Sequence, residues 1–282
     1  LARLRAHKEK VVGRLTTGLA GMAKAVAAIA GTGLRNVRLF DGDAAHLLDW
    51  LPPASLTKLM TAYLVFSALR QNRIALNQKV TPSVQALRNH PSDSKMYLDH
   101  RKAVTIDELL HGMIIISASD AARVLAEFIA GSELAMVGQM NREAQRLGMA
   151  DTHFSNASGS PDPMHYSSAH DLALLAAAVV QDYPEYFQLF AQREFQYNHI
   201  RFYNRNRLLW NDPHVDGMQT GHAEGTGYSL IATANRANHR LIAVVIGTGS
   251  EHLRSSESQR LLNHGFQDYD IFYMYKRNEA IS

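Results

Sequence analysis

The 282-residue chain contains no cysteine, which excludes disulfide bridges, thiolate zinc sites and a cysteine nucleophile. No uncharged apolar run approaches the roughly 18 to 20 residues of a membrane-spanning helix, so no transmembrane segment is expected. The sequence also lacks a glycine-rich phosphate loop and a His-Glu-x-x-His motif, which argues against a nucleotide enzyme and a zinc peptidase. What remains is a chain with 46% hydrophobic and 20% charged residues, the balance of a globular protein with a sizeable core.

Positive charge is concentrated at the N-terminus. The net charge is +3, but residues 1–40 carry eight Lys or Arg side chains and the single acid Glu9, which gives this stretch +7 and leaves −4 for the rest. Composition predicts helix over residues 4–30, and we expect residues 1–33 to be a basic helical arm of unclear role before a domain over residues 34–282. Such an arm can contact nucleic acid or anionic lipid, and a solvated helix or the remains of an export segment fits the same residues.

Apolar periodicity predicts helices in the middle of the chain and strands at both ends. The predicted helices are Leu56–Leu69, Ile106–Gly112, Asp120–Ala130, Leu134–Leu147, Leu172–Val180 and Ser255–Phe266. The predicted strands are Val37–Phe40, His46–Trp50, Glu194–Tyr197, Val215–Thr220, Tyr228–Ala234 and Leu241–Ile246. Because the last four strands have hairpin spacing, the arrangement predicts an α+β fold, in which helices cover an antiparallel sheet assembled from distant parts of the chain.

Ser55 and Lys58 form the sharpest local feature, at the start of a predicted apolar helix. Residues at i and i+3 share one face of a helix, so the two side chains can meet. A serine hydroxyl is a poor nucleophile without a base, and an exposed lysine is protonated at neutral pH. Burial among Leu56, Leu59 and Met60 would lower the lysine pKa. The pair predicts a serine nucleophile with a lysine base, although an N-cap serine followed by a surface lysine has the same spacing.

Other motifs follow in order along the chain. Ser-x-x-Lys, Ser-x-Asn and Lys-Thr-Gly together mark penicillin-binding proteins and class A β-lactamases, and over about residues 34–275 the chain resembles the low-molecular-weight D-alanyl-D-alanine carboxypeptidases of that superfamily. The segments that carry the resemblance include Pro53-Ala-Ser-Leu-Thr-Lys58, Ser94-Lys-Met-Tyr-Leu98, Ile116-Ser-Ala-Ser-Asp-Ala-Ala122, Asn156-Ala-Ser-Gly159, Asn204-Arg-Asn206 and Val215-Asp-Gly-Met-Gln-Thr-Gly-His222. Several motifs in register are far more specific than any one of them.

The resemblance implies a β-lactamase/DD-peptidase-like fold, an antiparallel sheet flanked by helices plus a helical lobe, with a cleft between them. It also implies a serine carboxypeptidase that removes the terminal D-alanine of peptidoglycan stem peptides through an acyl-enzyme on Ser55. Lys58 would accept the serine proton, and Ser117 would relay a proton to the departing D-alanine. β-Lactams would acylate Ser55 as mimics of the substrate. Neither a metal nor an organic cofactor is expected.

Two positions depart from the family pattern. The second motif ends in Ser119 where the family has Asn, and the third begins with Gln219 where the family has Lys, so an amide and a positive charge are lost. Losing a charge-assisted contact costs about 1.5 to 3 kcal/mol. By resemblance, the substrate-binding residues are Ser94, Ser119, Arg205, Gln219, Thr220, Gly221, His222 and Arg254. The backbone N–H groups of Ser55 and His222 would form the oxyanion hole.

Two alternatives stay open. The departures fit a catalytically impaired or silent homologue that keeps the fold and binds cell-wall peptide. A β-lactamase is less favoured, because no deacylating glutamate stands out between the second and third motifs. By resemblance we expect a periplasmic or extracytoplasmic monomer with no nucleic-acid partner, and we expect the family's C-terminal β domain and membrane anchor to be absent from a chain that stops at Ser282.

Overall fold

A five-stranded antiparallel sheet, with the strand order β2-β1-β9-β8-β7, is the main element of the computed structural model. The model describes residues 24–29, 37–40, 50–88, 90–91, 93–237 and 239–268. The strands are β1 (Lys24–Ile29), β2 (Val37–Phe40), β3 (Lys79–Val80), β4 (Val104–Thr105), β5 (Glu194–Tyr197), β6 (Ile200–Tyr203), β7 (Val215–Ala223), β8 (Gly227–Arg236) and β9 (His239–Thr248). The helices are α1 (Lys58–Arg70), α2 (Ile106–Ile115), α3 (Ser119–Ala130), α4 (Glu133–Arg146), α5 (Ala169–Asp182), α6 (Pro184–Phe187), α7 (Leu208–Asn211) and α8 (Glu251–Asp268).

The two faces of the sheet pack against different helices, because successive side chains of a strand point to opposite sides. Leu230 of β8 pairs with Val245 of β9, and both belong to a small core that includes Leu261 of α8. The next pair along, Ile231 and Val244, belongs to the large core that continues into α1, α3 and α5. The sheet is therefore covered on both sides, which confirms the predicted α+β fold.

Helix α1 lies inside the helical lobe, and ten of its thirteen residues are buried. Local capping fixes where the neighbouring helices begin. Thr105 and Glu108 form a reciprocal capping box at the start of α2, and Ser168 accepts the backbone N–H of Asp171 at the start of α5. The segment just before α1 packs against β7 of the sheet.

The helix predicted over residues 4–30 is wrong for residues 24–29, which form β1 and pair with both β2 and β9. Alanine-rich composition favours helix, but strand pairing at long sequence distance overrides this local preference. Residues 24–29 therefore belong to the same sheet as the C-terminal strands. The remainder of residues 1–33 lies outside the described residues, and so does the predicted strand His46–Trp50 apart from Trp50, which is not in a strand.

Of the hairpin that β5 and β6 form, only β5 was predicted from the sequence. Asn198 and His199 connect the two strands with φ values of 47° and 63°, the left-handed turn that suits a two-residue hairpin loop. Asn198 was the local signal for this turn. Among the described residues, no helix combines the length and apolar character that crossing a bilayer requires.

Candidate active site

Ser55 and Lys58 meet where a 3₁₀ turn, Ala54–Thr57, leads into α1. The Nζ atom of Lys58 lies 2.9 Å from the Oγ atom of Ser55 and donates a second hydrogen bond of 2.6 Å to the backbone carbonyl of Ser158. Ser55 is partly exposed, whereas Lys58 is 1% exposed. The two groups therefore have the geometry of a nucleophile and its base, with the hydroxyl at the surface and the amine beneath it.

Burial lowers the pKa of Lys58 from 10.5 to about 7. Loss of hydration disfavours the ammonium form and is the largest cause. Among the nearby charges, Asp93 and Asp120 act to raise the pKa, while Arg123 and Arg205 act to lower it. A substantial fraction of Lys58 is consequently neutral near pH 7 and able to accept a proton from Ser55.

The loop Asn156–Ser160 holds the Ser158 carbonyl in place under Lys58. The side-chain oxygen of Asn156 accepts the backbone N–H groups of Ser158, Gly159 and Ser160 at 2.7 to 3.2 Å. Gly159 has φ +81°, and a Cβ atom there would collide with the backbone carbonyl of Ala54, next to the nucleophile. Only glycine allows the loop to pack this closely against the 3₁₀ turn.

The second motif lies at the start of α3. Ser117 is buried and has φ +62°, a conformation that is rare for non-glycine residues. Its Oγ atom accepts a hydrogen bond of 3.1 Å from Nε2 of Gln219. Ser119 is also buried and lines the cleft, and its backbone N–H donates to the carbonyl of Ser94 at 2.8 Å. The short Ser119 side chain thus occupies the place that the family gives to an amide.

Strand β7 connects the third motif to both of the others. Gln219 and Gly221 are two residues apart and so face the same side of the sheet. Gln219 contacts Ser117, while a Cβ atom on Gly221 would meet the Leu56 side chain and the Pro53 carbonyl at 3.2 to 3.3 Å. Thr220, which lies between these two residues in the sequence, is also buried. The strand thereby lines up the second motif with the turn that carries the nucleophile.

The remaining predicted residues surround the end of β7. His222 is exposed and its ring lies 4.3 Å from that of Tyr228. Arg254 is 3% exposed; its guanidinium donates to the carbonyls of Gly221 and Arg205 and to the Glu251 carboxylate. Its Nε atom is buried without a hydrogen-bond partner. Arg254 therefore ties the loop of Arg205 to the third motif, whereas Arg205 itself is exposed.

A cleft of about 940 Å³ opens over Ser55. Its lining includes Ser94, Ser119, Ser158 and His222 from the predicted motifs and their neighbours. Among the residues that the structure describes, no group of three His, Asp or Glu side chains is arranged to hold a metal ion. The chemistry available in the cleft is acyl transfer to a serine with a neutral lysine as base.

Sequence reasoning missed several polar residues packed against the serine and lysine pair. The Asp120 carboxylate accepts the backbone N–H groups of Met96 and Leu98, which fixes the segment of Ser94 against α3. His165 lies 2.8 Å from the Thr57 hydroxyl, and burial lowers its pKa to about 4, so its ring is neutral at pH 7. The signal in the sequence was the spacing of Asp120 and Arg123, two charged residues one helical turn apart in the otherwise alanine-rich α3.

Comparisons with known proteins agree with this geometry. The family profile of D-alanyl-D-alanine carboxypeptidases matches residues 44–250. The chain is 41% identical over 233 residues to the D-alanyl-D-alanine carboxypeptidase DacA of Haemophilus influenzae, an alignment that covers 82% of this chain and 59% of that relative. The chain thus spans less than two thirds of this relative's length.

Solved structures give the same result. Penicillin binding protein 5 from Haemophilus influenzae has a TM-score of 0.84 at 36% identity, covering 93% of this chain and 75% of that one. Penicillin-binding protein D2 from Listeria monocytogenes, in its cefotaxime-bound form, has a TM-score of 0.74 at 28% identity, covering 87% of this chain and 98% of that one. The chain therefore belongs to the D-alanyl-D-alanine carboxypeptidase family.

Proposed function

We propose that the protein is a serine-type D-Ala-D-Ala carboxypeptidase that removes the terminal D-alanine of peptidoglycan stem peptides and is acylated by β-lactams. The observation that carries the proposal is the 2.9 Å contact between Ser55 Oγ and the Nζ atom of a buried Lys58, whose pKa is lowered to about 7. Family membership and the cefotaxime-bound relative support the same chemistry. Since related carboxypeptidases come from bacteria, the proposed location is the periplasm or another extracytoplasmic compartment.

The proposed reaction has two steps. In the first, Ser55 Oγ attacks the carbonyl between the two D-alanines while Lys58 takes the hydroxyl proton. As the peptide C–N bond breaks, Lys58 gives this proton back through the Ser117 hydroxyl to the nitrogen of the leaving D-alanine, which leaves both Lys58 and Ser117 in their starting protonation states. In the second, water attacks the ester on Ser55 while Lys58 accepts a proton from the water, and Lys58 then returns this proton to Ser55 Oγ as the bond between the acyl carbon and Oγ breaks. The products are free D-alanine and the shortened peptide, and the enzyme returns to its starting state.

Binding would use the groups that surround the end of β7. The backbone N–H groups of Ser55 and His222 would stabilise the negative charge on the tetrahedral intermediate. Thr220 and Arg205 would receive the terminal carboxylate of the substrate, with Arg254 holding the Arg205 loop in place. Ser94, Ser119, Gln219 and Gly221 would line the peptide.

Labelling with a fluorescent penicillin tests the proposed nucleophile. We expect one label per chain, located on the peptide that contains Ser55 by mass spectrometry. Ser55→Ala should remain unlabelled, and His222→Ala, an exposed neighbour that contributes only its backbone to the reaction, should label within a few fold of the wild type. Full labelling of Ser55→Ala, or an unlabelled wild type, would contradict the proposal.

A catalytically silent homologue that binds cell-wall peptide is the second candidate, and the neutral Gln219 and short Ser119 are the observations that favour it. Release of D-alanine from a diacylated D-Ala-D-Ala peptide distinguishes the two functions. The assay compares the chain with the double variant Ser119→Asn/Gln219→Lys. Turnover well above background in the unaltered chain would refute silence, whereas turnover only in the double variant would establish it.

A further inference from the structure

A largely buried ion pair lies near Lys58, the proposed base. Arg123 of α3 and Asp93 are 3.0 Å apart, and both side chains are less than one tenth exposed. Arg123 also donates to the backbone carbonyl of Ala86 at 2.8 Å, and Asp93 accepts the backbone N–H of His90 at 2.9 Å. The pair is thus held in place from both sides by backbone groups, and the sequence motifs gave no role to either member.

This pair connects to Lys58 through a ring of polar side chains. Arg123 contacts the Ser158 hydroxyl and Asp93 contacts the Ser160 hydroxyl, each at 3.5 Å. The two serine hydroxyls are 2.9 Å apart, which closes the ring. Ser158 is the residue whose backbone carbonyl accepts the 2.6 Å hydrogen bond from Lys58. The ion pair therefore braces the acceptor that orients the catalytic amine.

The pair also acts on Lys58 through space. The charged groups that influence Lys58 are Asp93 in the preceding segment, Asp120 and Arg123 on α3, and Arg205 after β6. His165 from the loop before α5 is also near but neutral. Of these charges, Asp93 and Arg123 have the two largest effects, and the effects are opposite in sign. Gln219 contributes no charge, although the family has a lysine at that position.

We propose that Asp93 and Arg123 are positioning residues for Lys58, and that the charge of Arg123 offsets the opposite effect of the Asp93 charge on the amine. The proposal rests on the proposed function, because it concerns the base of that reaction. The pair fixes the Ser158 carbonyl, and its two charges act on the amine in opposite directions. Asp93 also lines the cleft, whereas Arg123 does not, and the proposed role of the pair depends on its contacts with Ser158 and Ser160 rather than on contact with the substrate.

Removing the two partners should shift the titration of Lys58 in opposite directions. Asp93→Asn leaves the positive charge of Arg123 uncompensated, so the pKa of Lys58 falls. Arg123→Gln leaves the negative charge of Asp93, so the pKa of Lys58 rises. Each shift should be on the order of one pH unit. The double variant should return close to the wild type, and Arg123→Lys, which keeps the charge, should stay close to it.

The experiment measures the pH dependence of Ser55 acylation by a fluorescent penicillin in each variant. A matched control is Asp212→Asn, which removes the ion pair with Arg236 on the far side of the sheet and should leave the midpoint unchanged. A purely structural role would lower the rates of both single variants without separating their midpoints. Midpoints that stay together, or that move in the same direction, would overturn the proposal. If Arg123→Gln does not fold, a downward shift in Asp93→Asn supports the proposal and its absence overturns it.

An independent measurement separates this proposal from the proposed function. Lysines carrying ¹³C at Cε can be titrated by NMR, and Lys58→Arg identifies the Lys58 signal among the eight lysines of the chain. If penicillin does not acylate the wild type but the Lys58 signal still shifts in opposite directions, the proposed function fails and the positioning role stands. If acylation proceeds and the signal does not shift, the positioning role fails alone.

Discussion

The two sides of the cleft differ in how closely their residues match the motifs of the family. On the side of α1, Ser55 and Lys58 are in contact and the Ser158 carbonyl completes the arrangement. On the side of β7, the neutral Gln219 reaches Ser117 where the family has a lysine, and Ser119 replaces an amide. The proposed activation of Ser55 by Lys58 depends mainly on burial, which a well-packed lobe supplies, whereas binding of a carboxylate needs a charge in the cleft. We therefore expect acylation to be better preserved than recognition of the terminal carboxylate.

The largest expected effect comes from a substitution on the α1 side of the cleft, where the residues of the family motif are present. Lys58→Met keeps the volume of the buried side chain but removes the proposed base, so acylation of Ser55 should slow by about 10²- to 10⁴-fold. The measurement is the second-order rate constant with a fluorescent penicillin at pH 8. A loss smaller than tenfold would mean that another group takes the serine proton.

Gly159→Ala disturbs the packing on the same side of the cleft. The new methyl group would collide with the Ala54 carbonyl, and the φ of +81° adds strain, so the free energy of unfolding should fall by about 3 kcal/mol or more. Gly131→Ala is the matched control, since Gly131 has φ +82° with no atom near its absent Cβ, and should cost only about 1 kcal/mol. Urea denaturation measures both. Equal losses would show that the close approach to Ala54 contributes nothing.

The pH dependence of acylation tests whether Lys58 is the group that accepts the Ser55 proton. Lys58 must be neutral to accept the proton, and its pKa is about 7. Acylation should therefore fall as pH decreases through 7, approaching tenfold per pH unit below pH 6, and should level off above pH 8. A profile that is flat down to pH 5, or one that keeps rising to pH 10, would contradict this assignment.

The same titration makes stability depend on pH. In the unfolded chain Lys58 has its ordinary pKa of 10.5, so between pH 7 and about 10 the unfolded state binds more protons than the folded state. The contribution of this group to the free energy of unfolding therefore rises with pH across that window. Lys58→Met should lose this rise, which thermal unfolding at pH 7 and pH 9.5 can check against the wild type.

Contacts within the site could be predicted from the sequence where the two residues lie close together along the chain, but not where they lie far apart. Ser55 and Lys58 are one helical turn apart, and the motifs of Ser117 and Gln219 are recognisable by family resemblance. Asp93 and Arg123 belong to no motif, and their 3.0 Å contact joins residues that are 30 positions apart. No local pattern specifies such a pair.

The prediction of helix for residues 24–29 (β1) was wrong for the same reason, because contacts between distant parts of the chain determine the structure there. Residues 24–29 are rich in alanine, which is compatible with helix, and only the register with β9, more than 200 residues later in the chain, makes them a strand. Tertiary pairing overrides weak local preference most easily where the segment is short. The helices α3 and α5, by contrast, have long periodic patterns and were predicted within two residues at their C-terminal ends.

The smallest of these expected effects concerns Gln219, on the β7 side of the cleft. Gln219→Lys restores a positive charge beside Ser117, so D-alanine release from a peptide with a free terminal carboxylate should rise about tenfold, equivalent to about 1.4 kcal/mol. Gln219→Met removes the hydrogen bond to Ser117 without adding charge and should lower the rate. A substrate whose terminal carboxylate is amidated is the control, because the gain of Gln219→Lys should shrink when the anion is absent. If both substrates gain equally, the lysine acts on the catalytic pair rather than on the carboxylate, and the two sides of the cleft are less independent than their contacts indicate.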